Sequence, residues 1–113
     1  MWIMVAGPYR SGSSDPARWA ANLNKLNEAA VALLRAGHVP IIGVNMALPM
    51  IAVAGGSDAA HAEIMNPVSL SLVDRCDACL RIGGSSQGAD DEVRRFEAAG
   101  RPVYRALDEV PAA

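Results

Sequence analysis

Residues 78–100 decide the reading. Ala78-Cys79-Leu80-Arg81-Ile82 is a short, mostly apolar run, Gly83-Gly84-Ser85-Ser86-Gln87-Gly88 follows it, and Ala89 to Ala99 then carries Val93 and Phe96 at helical spacing until Gly100. An apolar run, a glycine-rich loop and an amphipathic helix in that order predict a strand that feeds a helix through a tight turn, the repeating unit of a parallel α/β sheet.

Working outward, Trp2 to Ala6 is a continuous apolar run closed by Gly7-Pro8, as expected of a strand buried on both faces. Asp15 followed by Pro16 is an N-cap with proline at the first helical position. Trp19, Leu23, Leu26, Ala30, Leu33 and Leu34 then mark a core face as far as Gly37, with Arg18, Asn22, Lys25, Glu28 and Arg35 on the polar face. Val39-Pro40-Ile41-Ile42 reads as a second strand, and Pro40, having no N–H for a central ladder, puts that strand at a sheet edge. Gly43 to about Asn66 has a poor pattern and is expected to be a loop with partial helix, long enough to act as a lid. A short helix from Asn66 to Arg75, entered through Pro67, and a fourth strand from Pro102 to Tyr104 complete the set. The expected fold is a flavodoxin-like, Rossmann-like three-layer α/β sandwich: one domain over residues 1–113, with a parallel sheet of four to five strands in the order 2-1-3-4.

The chain has 113 residues, 51% hydrophobic and 19% charged, with a formal net charge of −2. That suits one soluble domain and supplies no basic excess for a nucleic-acid polymer. The N-terminus has no charged leader and no apolar run is long enough for a membrane span, so a cytoplasmic protein without a membrane partner is expected. Cys76 and Cys79 form a C-x-x-C between a helix end and a strand. A redox pair needs its first Cys at a helix N-terminus and zinc needs further ligands, so both read as buried structural thiols, and neither a metal nor an organic cofactor is expected.

In the expected topology the loops Gly7 to Ser14 and Gly83 to Gly88 leave the carboxyl ends of adjacent strands and face one crevice, where such sheets bind ligands. Small residues and free N–H groups at the Gly83 to Gly88 turn suit a phosphate. Ala89 and Asp90 stand where a P-loop needs Lys and Ser/Thr, which favours a monophosphate over ATP. Of the three acids that follow, Asp91 is expected to project outward, Asp90 to one side, and Glu92 to flank the buried face. Tyr9 and Arg10 put a phenol and a guanidinium at the mouth of the first strand. His38, His61 and Trp19 read as structural.

Gly7-Pro8-Tyr9-Arg10 together with Ser86-Gln87-Gly88-Ala89-Asp90-Asp91-Glu92 resembles the nucleoside 2-deoxyribosyltransferase superfamily, most closely its 2'-deoxynucleoside 5'-phosphate N-hydrolases and a compact bacterial branch. The resemblance implies that Glu92 attacks the anomeric carbon, that Tyr9 places Glu92, and that Ser86 and Gly88 bind the 5'-phosphate; Gly7, Arg10 and Ser85 beside them are expected to bind substrate. It further implies that an acid near the third strand, Asp77 with Asp74 behind it, assists the leaving base. Ser86 stands where the transferases carry an aspartate, and Arg94 stands where the family carries glycine. The expected activity is N-glycosidic cleavage of a (deoxy)nucleoside 5'-monophosphate through a covalent glycosyl-glutamate. The alternatives are base exchange and a nucleotide-binding sensor without chemistry. A homodimer or larger assembly is also expected.

Overall fold

The computed structural model describes residues 1–113. Four parallel strands, β1 (Trp2–Ala6), β2 (Val39–Ile41), β3 (Ala78–Arg81) and β4 (Val103–Tyr104), form one sheet in the order β2-β1-β3-β4. Four helices flank it: α1 (Pro16–Arg35), α2 (Gly43–Val53), α3 (Asp58–Val73) and α4 (Gln87–Ala98), and a 3-10 turn follows at Leu107–Glu109. This is the expected flavodoxin-like order, with four strands rather than a fifth.

Local chemistry accounts for most of the elements. Asp15 caps α1 through the Ala17 N–H with Pro16 behind it. Pro40 pairs only with β1, so its missing N–H faces the open edge. Strand alternation divides the core in two. Ile3, Val5, Ala78 and Leu80 pack on Leu26, Ala29 and Leu33 of α1, while Met4, Ala6 and Cys79 pack on Val73 of α3 and on Ala89, Val93 and Phe96 of α4. Leu34 is exposed and Ala29 takes its place in the α1 core face.

The expected lid between Gly43 and Asn66 is instead α2 and the first half of α3, and Pro67 lies inside α3 rather than at the start of a short helix. Prolines inside both helices and a weak one-sided pattern hid them in the sequence. They are held by each other. Ala47 and Ile51 of α2 pack on Ala60 and Met65 of α3, and Gly43 lets the two backbones approach so closely that a Cβ there would collide with the Ser69 side chain.

Cys76 and Cys79 are buried free thiols, and burial pushes them up to about 11 and about 12. They stay protonated near neutrality, as inert thiols do. No group of three or more His, Cys, Asp or Glu is placed to hold a metal ion, and no helix is long and apolar enough to cross a membrane.

Candidate functional site

The β1 and β3 loops do not merely face each other; they touch. A Cβ at Gly7 would stand 2.8 Å from the Ile82 carbonyl oxygen, and one at Gly83, whose φ is +77°, would stand 2.7 Å from Pro8 Cδ. Two clefts lie beside this contact, one toward α2, α3 and α4 and one toward α1, with Ser11 and Ser85 lining both.

The larger cleft, about 540 Å³, opens on the face of α2, α3 and α4 and is lined by Gly7, Tyr9 and Arg10 on one side and by Ser85, Ser86 and Gly88 on the other. The five predicted binding residues and Tyr9 thus meet in one cavity, of a size usual for small-molecule sites. The reason is topological: β1 and β3 are neighbours, so the loops after them share a sheet edge.

At that edge α4 begins at Gln87, two residues earlier than its apolar spacing suggested, because Ser86 is its N-cap and accepts from the Ala89 N–H at 3.2 Å. No backbone N–H from Gly83 to Gly88 finds an acceptor within the chain. A row of free amides at a helix start favours an anion. Arg81, buried below the loop, stiffens it by donating to the carbonyl oxygens of Ile82 and Gly84 and by pairing with Asp90 at 3.4 Å.

Across the cleft, the Arg10 guanidinium lies over the Trp19 ring and pairs with Asp58 at 3.3 Å, and the Tyr9 ring sits 6.3 Å from Trp19. Trp19 is therefore a half-buried platform under the site rather than a core residue. Its indole N–H donates to the Ser13 carbonyl oxygen, which fixes the loop.

His61, expected to be structural, lines this cleft from α3 together with Met65, Asn66 and Ser69. Burial and the Arg10 guanidinium hold its pKa below the usual imidazole value, against the pull of Asp58. His61 Nδ1 and Arg10 Nε are buried without a hydrogen-bond partner, and both residues line the same cavity. Buried polar atoms left unpaired cost about 1–3 kcal/mol each, which a ligand offering matching groups offsets. The one signal for this wall in the sequence was Ser57-Asp58, which is the N-cap and first turn of α3.

The carboxyl groups are arranged otherwise than expected. Asp91 lines the cleft, because α3 stands beside α4 where solvent was expected, and it pairs with Arg94. Glu92 is half-buried and is not among the lining residues. Burial pushes its carboxyl up to about 8; the Arg81 guanidinium pulls it back and Asp91 adds to the rise.

Asp77 and Asp74 are not brought to the site. Asp77 precedes β3 at the amino edge of the sheet and accepts from the Trp2 N–H at 2.7 Å, and Asp74 ends α3 and pairs with Arg101 at 3.7 Å. The expected leaving-group acid near the third strand is thus at the wrong end of that strand, a whole strand length from the carboxyl edge.

Residues 2–107 match the family described as Domain of unknown function (DUF1937). The chain belongs to that family. Curated proteins and solved structures return no match. The DUF1937 match spans β1 to the 3-10 turn, and so contains every residue of both clefts.

Proposed function

We propose that this DUF1937 protein is an N-glycosidase that cleaves the base from a nucleoside or deoxynucleoside 5'-monophosphate. The observation that carries the reading is the row of unpaired amides from Ser85 to Gly88, with the Ser85 and Ser86 hydroxyls, set across one cleft from Tyr9 and Arg10. The amides suit a phosphate. Tyr9 and the orphaned donor on Arg10 suit the sugar and base beyond it.

The chemistry in this reading is retaining glycosyl transfer to water. The Glu92 carboxylate attacks C1', the C1'–N bond breaks with its electron pair leaving on the base, and the base nitrogen takes a proton. Water then cleaves the glycosyl ester, returning Glu92 and a sugar 5-phosphate. Two features of the site constrain this sequence. Glu92 holds its proton to about pH 8, so attack needs the ionised fraction and turnover rises with pH through that range. His61 and Asp91 are the groups lining the cleft that can meet the leaving base, in place of Asp77.

A second reading, a nucleotide sensor without turnover, is favoured by one observation: Glu92 stands behind the cleft wall rather than in it. Base exchange between nucleosides is the third, and its mark is dependence on an added base. Self-association belongs to all three, supported by Met46, Met50 and Val53 exposed on α2; the mass in solution tests it.

Wild type and Glu92→Ala are incubated with a panel of nucleoside and deoxynucleoside 5'-monophosphates, and free base is followed by chromatography. Release by the wild type alone is the expected result. No release from any nucleotide that binds turns the assignment to the sensor.

A further inference from the structure

The second cleft, on the α1 face, has a different chemistry. It measures about 350 Å³ and lies between α1 and the Gly83-Gly84-Ser85 turn, with Leu26 and Ile82 lining it. Arg18, Asn22 and Lys25 form its α1 wall. Their spacing, i, i+4 and i+7, puts all three on one helical face, turned toward the loop.

No carboxylate lines this cleft, and neither Arg18 nor Lys25 belongs to any of the four ion pairs of the chain, which join Arg10 to Asp58, Arg81 to Asp90, Arg94 to Asp91 and Arg101 to Asp74. Two cations therefore face the turn without a counter-charge, in a protein whose net charge is −2. On the opposite wall the Gly84 carbonyl is occupied by Arg81, while the amides of Gly83, Gly84 and Ser85 have no acceptor. A Cβ at Gly84 would meet nothing within 4 Å, so a ligand can approach the backbone there.

We propose that this cleft is a second anion site, distinct from the larger one although Ser11 and Ser85 line both, that takes a small phosphate-bearing molecule between the Arg18 and Lys25 side chains and the Gly83 and Gly84 amides. Charge-assisted donors from two walls match a phosphate or diphosphate group, and the volume leaves room for a small organic part beside it. A nucleic-acid duplex finds no extended basic surface here. The site stands whether or not the larger cleft holds a nucleotide. Asn22 connects the two, because its amide nitrogen donates to the Tyr9 carbonyl oxygen at 2.7 Å.

The test is a titration with inorganic pyrophosphate at constant ionic strength, read by amide NMR on wild type, R18Q/K25Q and H61A. The expected result is a saturable shift at Gly83, Gly84 and the Asn22 side chain, weakened about tenfold or more in R18Q/K25Q and unchanged in H61A. Arg18 and Lys25 are exposed on a capped helix, and thermal unfolding of the double variant checks that it folds. Shifts confined to Ser86–Gly88, an affinity unaltered in R18Q/K25Q, or no saturable shift each overturn the proposal. An affinity lost in H61A as well as in R18Q/K25Q overturns the separateness of the site and assigns the anion to one ligand spanning both clefts.

Discussion

The guanidinium carbon of Arg10 lies 4.2 Å from the centroid of the Trp19 ring. That contact joins the β1 loop to α1, and the same guanidinium reaches Asp58 at the start of α3, so three elements on both faces of the sheet are tied at the cleft mouth. Trp19→Ala removes the stacking and the bond from the indole to the Ser13 carbonyl oxygen. The expected loss is about 2 kcal/mol in urea unfolding, together with weaker nucleotide binding as Arg10 loses its platform. Unchanged affinity in a folded Trp19→Ala protein would show that Arg10 does not depend on it.

Glu92 gives stability a pH signature. Its carboxyl titrates near 8 in the folded chain and near 4.5 when unfolded, so the folded state binds the extra proton between those values. Stability from this group is complete below pH 4.5 and is lost as pH rises to 8, by a total on the order of 5 kcal/mol. Glu92→Gln stays neutral throughout, so the variant should gain on wild type steadily across that window. Urea unfolding of both proteins at pH 5, 6.5 and 8 measures the difference; parallel curves contradict a raised carboxyl.

Arg81 is buried, yet its pairing partner Asp90 is exposed, and its main contacts are the Ile82 and Gly84 carbonyl oxygens. Arg81→Met should cost about 2–4 kcal/mol and loosen the Gly83–Gly88 turn. Arg81→Lys should recover little of this, because one ammonium cannot reproduce the planar fork. Thermal unfolding, with amide exchange across the turn, reads both effects.

Gly43→Ala drives a methyl group into Ser69 and forces α2 away from α3. A loss of about 1–3 kcal/mol is expected, with weakened ligand binding, because Val44 and Ser69 both line the larger cleft. A stable variant with native affinity would mean that the helix pair yields without disturbing the wall.

Asp77→Asn tests the sheet edge rather than the site. Weakening the bond to the Trp2 N–H should cost about 1 kcal/mol and leave base release unchanged. A fall in turnover without a fall in stability would return Asp77 to the chemistry.

The elements that announced themselves in the sequence are those whose signals are local. Trp2 to Ala6 reads as a buried strand, and all of it but Trp2 is buried; Asp15-Pro16 reads as a helix start, and Pro40 places β2 at an edge, which fits the order β2-β1-β3-β4 and with it the meeting of Tyr9 and Arg10 with Ser85, Ser86 and Gly88. What stayed hidden depends on contacts between distant segments. Helices α2 and α3 carry Pro49 and Pro67 and little amphipathic pattern, because each buries its small and apolar residues against the other. Without α3 in view, neither His61 nor the turning of Asp91 into the cleft could be foreseen. The raised Glu92 carboxyl and the meeting of the β1 and β3 loops between two clefts are likewise tertiary facts. The first arises from desolvation by surrounding elements, the second from Gly7 and Gly83, whose missing side chains let two loops far apart in sequence come into contact.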